Sequence, residues 1–195
     1  MKNVFFGLML VFFMIVQSGC GVRSIPMSKN EVDARLAEVT NQYKRRADLI
    51  PNLVKTVKGY ASHEKETLEA VVEARAKATS VNIDPTKVSA QQMLEFQQAQ
   101  GSLSQALGRL MVVVEKYPDL KANQNFRDLQ AQLEGTENRI TVARQRYIEG
   151  IKDFNNLVTV FPTNIANNLF FKYEKMPQWN VENAEDIKKA PEVSF

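Results

Sequence analysis

The feature that most constrains this chain is a single apolar stripe. Phe126, Leu129, Leu133, Thr136, Ile140, Ala143, Tyr147, Ile151, Phe154, Val158 and Phe161 follow one another at intervals of three or four residues. That is the period of one helix face, and no proline interrupts it, so residues 126–161 are predicted to form one long amphipathic helix ended by Phe161-Pro162. Such a stripe needs other helices to cover it. Residues 31–80 repeat the pattern through Val32, Leu36, Val39, Tyr43, Ala47, Ile50, Val54, Val57, Ala61, Leu68 and Val72, with one turn skipped at Lys65. Pro51 lies inside this run, yet the stripe keeps phase from Ala47 to Ile50 to Val54, which predicts a kink rather than a break. Residues 81–88 hold Asn82, Asp84 and Pro85 and read as a loop. Ser89 with Gln92 forms a capping-box signal for a helix over 89–117, whose apolar face is Met93, Phe96, Leu103, Leu107, Leu110, Met111 and Val114. Residues 119–122 are a short connector, and Asn123 is an N-cap for the last long helix.

No segment alternates as a strand does. The expected fold is therefore all-α: an elongated antiparallel up-and-down bundle of three long helices over 31–171, the first kinked at Pro51. A short extra turn after Asn164 closes the bundle. The tail, 172–195, is expected to be mostly irregular, with room for a short helix at 181–189. With 195 residues, 44% of them hydrophobic, the chain is long enough to build one domain core.

Several function classes are excluded by counting. There is one Cys and one His, so no intramolecular disulfide, Cys-rich metal site or two-His metal site can form. His63-Glu64 begins like a zinc-protease motif, but Thr67 stands where the second His is needed. There is no Gly-rich phosphate loop. The net charge of +3 is too small to argue for nucleic acid, and the basic run Lys44-Arg45-Arg46 is followed two residues on by Asp48. No catalytic residue, metal or cofactor is expected. Ser/Lys hydrolase chemistry stays open as a remote alternative, because it leaves little trace in a sequence.

The N-terminus bears on location. Lys2 precedes an apolar run over 4–16, followed by Gln17, Ser18, Gly19 and Cys20. A basic start, a short apolar core and small residues describe a secretory signal peptide. The run alone is too short to span a bilayer, although an uncharged helix over 3–22 could serve as an uncleaved anchor. The small pair before the only Cys resembles a bacterial lipoprotein signal, with Gln17 where that signal usually has Leu. The resemblance implies a signal peptide over 1–19 and lipid on the sulfur of Cys20, followed by a tether over 20–30. A cleaved, unanchored chain is the third possibility.

If residues 51–79 and 89–117 pair antiparallel, Tyr117 returns to the level of Pro51. That pairing gathers Arg45, Arg46, Asp48 and Asn52 with Asp119, Lys121 and Asn123, and Asp48 becomes the leading ion partner of Lys121. The cluster has two readings: capping of backbone left open at the helix ends, or a surface for a partner.

Longer strings carry a family resemblance. Residues 42–54 read QYKRRADLIPNLV and continue into Val57-Lys58-Gly59-Tyr60-Ala61. Tyr117-Pro118-Asp119-Leu120-Lys121-Ala122-Asn123 follows, then Glu137-Asn138-Arg139-Ile140, Ala143-Arg144-Gln145-Arg146-Tyr147 and Phe161-Pro162-Thr163-Asn164. In this order they resemble the LemA family over essentially everything after residue 30. The resemblance implies a mostly helical, membrane-tethered protein of the bacterial cell envelope on its extracytoplasmic side, and no reaction. The expected function is non-enzymatic: binding or positioning an envelope protein, with a self-associating structural lipoprotein as the alternative. The expected contacts are the membrane through Cys20 and an unidentified protein, with no nucleic acid.

Overall fold

The computed structural model describes the backbone of residues 2–179 and the side chains of residues 22–179. Helix α1 spans Lys2–Lys58, α2 Lys65–Ser80, α3 Ala90–Val114, α4 Pro118–Ala122, α5 Gln124–Thr159 and α6 Thr163–Ala166, and a π-helical turn covers Asn167–Phe171. Among the described residues there is no strand. Contacts divide the chain into two units, one of Met1–Arg35 with Arg146–Gln178, the other of Leu36–Gln145 with the residues from Trp179 on.

The larger unit corrects the expected helix count. Helix α1 runs without interruption through Pro51, but the chain does not continue as helix to residue 80. It reverses over residues 59–64, between α1 and α2. Gly59 costs a helix about 1 kcal/mol relative to Ala, and the skipped apolar turn at Lys65 means that a straight helix would bury nothing there. Reversal instead lets Val57, Ala61 and Leu68 join one core with Leu103, Leu110, Leu120 and Phe126. The result is an up-and-down arrangement of four helices: the end of α1, then α2, α3 and the start of α5. Three hydrogen bonds set its register. Arg75 Nε donates to the Ala47 carbonyl at 2.8 Å, Gln100 Nε2 to the Ala78 carbonyl at 3.2 Å, and Arg46 Nη1 to Glu137 at 2.9 Å.

Local signals act as their chemistry predicts. Ser89 Oγ accepts from Gln92 N, and Gln92 Oε1 accepts from Ser89 N, so the capping box is complete. Asn123 Oδ1 accepts from Phe126 N at 3.0 Å and caps α5. The long stripe is buried at Phe126, Leu133, Ile140, Tyr147, Ile151, Phe154 and Val158.

In the smaller unit the stretch read as a tether is helical from residue 22 on. Ile25 and Val32 are both buried and lie two turns apart on one face. Burying an isoleucine contributes roughly 2 kcal/mol, against the roughly 3 kcal/mol that Pro26 costs inside a helix. Ion pairs Lys29–Asp33 and Glu31–Arg35 support the same turns. Helix α5 lies antiparallel to α1: Arg35 Nη1 donates to the Arg146 carbonyl at 2.7 Å, and a Cβ on Gly150 would meet Val32 Cγ2 at 3.5 Å. After Lys172, in the left-handed region at φ 57°, the described residues up to 179 are irregular. Two buried asparagines hold it. Asn155 donates to the Met176 carbonyl at 3.0 Å and accepts from its N–H at 2.8 Å. Asn167 does the same for Tyr173 at 2.9 and 3.0 Å. The expected signal peptide, Cys20 and the short helix at 181–189 involve side chains or backbone outside the described residues.

Tyr147 makes the stability of this unit sensitive to alkali. Burial, with Asp33 nearby, pushes its phenol up from 10.0 to about 12. The folded state therefore holds the proton more tightly than the unfolded chain. Its contribution, on the order of 3 kcal/mol, is intact below pH 10 and is lost as pH rises towards 12. Urea unfolding followed from pH 9 to 12 should show this loss, and Tyr147→Phe should flatten it. An unchanged slope in the variant would mean that other groups carry the effect.

Candidate functional site

The structure disperses the seven residues of the expected cluster. Arg46 lies inside the larger unit, only 2% exposed. Its Nη1 donates to Ser104 Oγ and to Glu137 Oε2, both at 2.9 Å, and its Nη2 donates to Gln100 Oε1 at 2.8 Å and to the Gln100 carbonyl at 3.2 Å. The guanidinium also stands 5.0 Å from the centre of the Tyr43 ring, and that ring meets Phe96 edge-on at 5.1 Å. Burial pushes the Tyr43 phenol up, against the opposing pull of Arg144 and Arg46. The basic run thus divides by position: Lys44 and Arg45 are not buried, while Arg46 ties α1 to α3 and α5.

Asp48 is exposed and lines a groove of about 560 Å³ with Lys44, Arg75, Asn82 and Gln100. It is not the partner of Lys121, whose ammonium pairs with Glu115 at 2.7 Å. Asp119 is exposed. The 117–123 segment meets the reversal at residues 59–64, not the level of Pro51. Tyr117 Oη donates to Glu64 Oε1 at 3.0 Å, and Asn123 Nδ2 donates to Tyr60 Oη at 2.8 Å. That bond to a carboxylate raises the Tyr117 phenol. The physical reason for the shift is the reversal itself: the helix that pairs with α3 begins at Lys65, so the far end of α3 returns to residue 64.

One part of the expected convergence is present. Asn52 and Asn123 line a common open groove of about 600 Å³ with Lys55, Tyr60, Asp128 and Gln132. Its lining mixes polar side chains with apolar surface, Leu129 included, and Tyr60 is 45% exposed at its edge. Asn123 is committed twice, to the cap of α5 and to Tyr60. Asn123→Ala should cost about 1 kcal/mol through the lost cap, read from the urea midpoint. A change below a few tenths would mean that another group caps α5.

Sequence reasoning missed the partners of Arg46. Gln100 had a signal: it falls in phase with Phe96 and Leu103 on the apolar face of α3, where an apolar residue is expected, and it is buried. Glu137, half exposed on α5, had none. Among the described residues no three His, Cys, Asp or Glu side chains are grouped to hold a metal ion. No helix among residues 22–179 is long and apolar enough to cross a membrane.

Fold and site together define an all-helical protein built on an up-and-down bundle, pinned by a buried arginine and marked by open grooves. The chain belongs to the LemA family, whose sequence model matches residues 35–195. Protein LemA of Metamycoplasma hominis is 22% identical over 189 residues, covering 93% of this chain and 82% of that protein. Magnetosome protein MamQ 2 of Paramagnetospirillum magneticum is 35% identical over 66 residues, 34% of this chain and 24% of that protein. Magnetosome protein MamQ of Magnetospirillum gryphiswaldense is 31% identical over 64 residues, 33% of this chain and 24% of that protein.

Proposed function

We propose that this protein is a non-enzymatic, membrane-tethered helical module of the cell envelope that binds or positions a partner protein. The groove lined by Asn52, Lys55, Tyr60, Asn123, Asp128 and Gln132 is its docking surface. The observation that supports this reading is the groove itself: two polar segments far apart in sequence line one open, solvent-facing hollow, with an exposed tyrosine at its edge. Capping accounts for Asn123, and a bond from Gln124 within α5 for Asp128, but neither explains Asn52 and Lys55. A tyrosine beside adaptable amide side chains is a composition suited to protein recognition. Tethering rests on the apolar run over 4–16 ahead of Cys20, with lipid on its sulfur and the bundle on the extracytoplasmic side. The MamQ relatives are named for a cellular structure rather than a reaction, which suits a positioning role.

The test is a photo-crosslinking residue placed at Asn52 or Asp128 of the full chain in cells, with mass spectrometry of the adducts and the exposed Glu73 position as control. The expected result is one dominant adduct with another protein from the groove positions and none from Glu73. An adduct with a second copy of this chain would favour the self-associating structural protein instead. No groove-specific adduct would overturn the docking surface.

A further inference from the structure

The smaller unit carries an apolar surface that its packing does not use. Val160, Phe161, Ile165, Leu169 and Phe170 are all exposed, Phe161 at 74% and Leu169 at 69%. They fall just past the end of α5 and on the two turns that follow. Scattered exposed apolar residues are ordinary, but five within eleven positions mark a contact surface. The surface is also held in shape from behind. Phe170 meets Phe171 at 6.4 Å, Phe171 stacks on Tyr173 at 5.8 Å, and Tyr173 meets the buried Phe154 at 5.8 Å. Asn167 clamps both backbone groups of Tyr173.

The register within this unit says what lies beside it. Arg35 bonds to the carbonyl of Arg146, and Gly150 sits against Val32. Ten residues beyond Gly150 is Val160, about 15 Å along α5, and ten residues before Val32 is Val22, the same distance along α1. Val160, at the leading edge of the surface, therefore stands level with residue 22, two residues after Cys20 and six after the end of the apolar run, while Tyr173, packed on Phe154, lies about 9 Å back along α5. Arg23 is exposed at that level, and Lys172 and Lys175, with Glu174 between them, follow the surface in sequence. An apolar and aromatic face with a basic fringe is the composition that enters the boundary between headgroups and acyl chains.

We infer that this face, centred on Phe161, Leu169 and Phe170, seats in the lipid interface of the membrane that carries the N-terminal tether, as a second membrane contact. The inference rests on the tethered reading of the protein. One acyl or apolar anchor leaves a protein free to swivel, and a second contact fixes its orientation.

The test uses the full chain on vesicles of phosphatidylethanolamine and phosphatidylglycerol, with and without bromine on the acyl chains. Phe161→Trp and Leu169→Trp replace exposed residues and report depth by quenching, each read as the difference from the parent with its Trp179. Ile148→Trp is the control in the same unit, about 18 Å back along α5 from Val160. The tryptophans at 161 and 169 should lose most of their added emission on brominated vesicles and shift to the blue, while the one at 148 should not. Co-flotation is scored first. A chain that does not float with vesicles overturns the tether and this inference together. A chain that floats with no quenching at 161 or 169 overturns this inference and leaves the tether standing. Equal quenching at all three positions also overturns it, because the face would then be no deeper than the rest of α5.

Discussion

Replacing Arg46 by Ala should destabilise the protein by about 3 kcal/mol or more, measured by urea unfolding of the full chain. The guanidinium is buried and makes four hydrogen bonds, to Ser104, Glu137 and twice to Gln100. Truncation leaves a void between three helices, and cavities of this kind cost about 2–5 kcal/mol. It also removes the partner of a buried amide oxygen on Gln100, which adds about 1–3 kcal/mol if no water replaces it. The ion pair contributes less than these two effects. Glu137 is 51% exposed at its side chain and returns to water once Arg46 is gone, so no buried charge is stranded. Two companion variants separate the causes. Arg46→Met keeps most of the volume and should recover the packing part only. Glu137→Gln should cost under about 1 kcal/mol, since it removes a half-solvated charge. A loss below 1 kcal/mol for Arg46→Ala would show that the helices are held by their apolar faces alone.

Ile140→Ala should cost about 2–5 kcal/mol, the range for truncating a fully buried aliphatic side chain. Ile140 is 0% exposed and lies midway along the stripe of α5. Leu133, 9% exposed on the same stripe, should lie at the lower end, because its surroundings can relax towards solvent. Val142→Ala, two positions along on the outer face, should change stability by under about 0.5 kcal/mol. If Ile140→Ala and Val142→Ala cost the same, the stripe does not face the core.

The sequence by itself determined that the described elements are helical, which face of α3 and α5 is buried, and where the caps at Ser89 and Asn123 fall; in the stripe over 31–80 it missed by one position twice, since Leu53 and Val71 are buried while Val54 is only partly buried and Val72 is 52% exposed. Helix, face and cap are local properties. A 3.6-residue period selects a face whatever that face meets, and a capping side chain reaches only three residues along its own chain. Family membership was equally legible, since it resides in the order of strings such as Gln42–Val54 and Tyr117–Asn123. The tertiary structure alone decided how many helices the stripe between residues 31 and 80 becomes. Pro51, the strongest breaker by propensity, lies in a continuous helix, while the chain reverses after Gly59. A proline in a long helix costs a few kcal/mol at one point. Reversal at Gly59 gains the burial of Val57, Ala61 and Leu68 against two other helices, and that comparison involves residues not yet adjacent in any local window. The same non-local choice moved the partner of Tyr117 from the level of Pro51 to Glu64 and left Asp48 and Asn52 in separate grooves. It also turned Arg46 from one residue of a basic run into a buried tie. Gln100 shows the boundary between the two kinds of knowledge: its polar side chain in an apolar phase signalled a buried partner, but only the packing of α1 on α3 named that partner as Arg46.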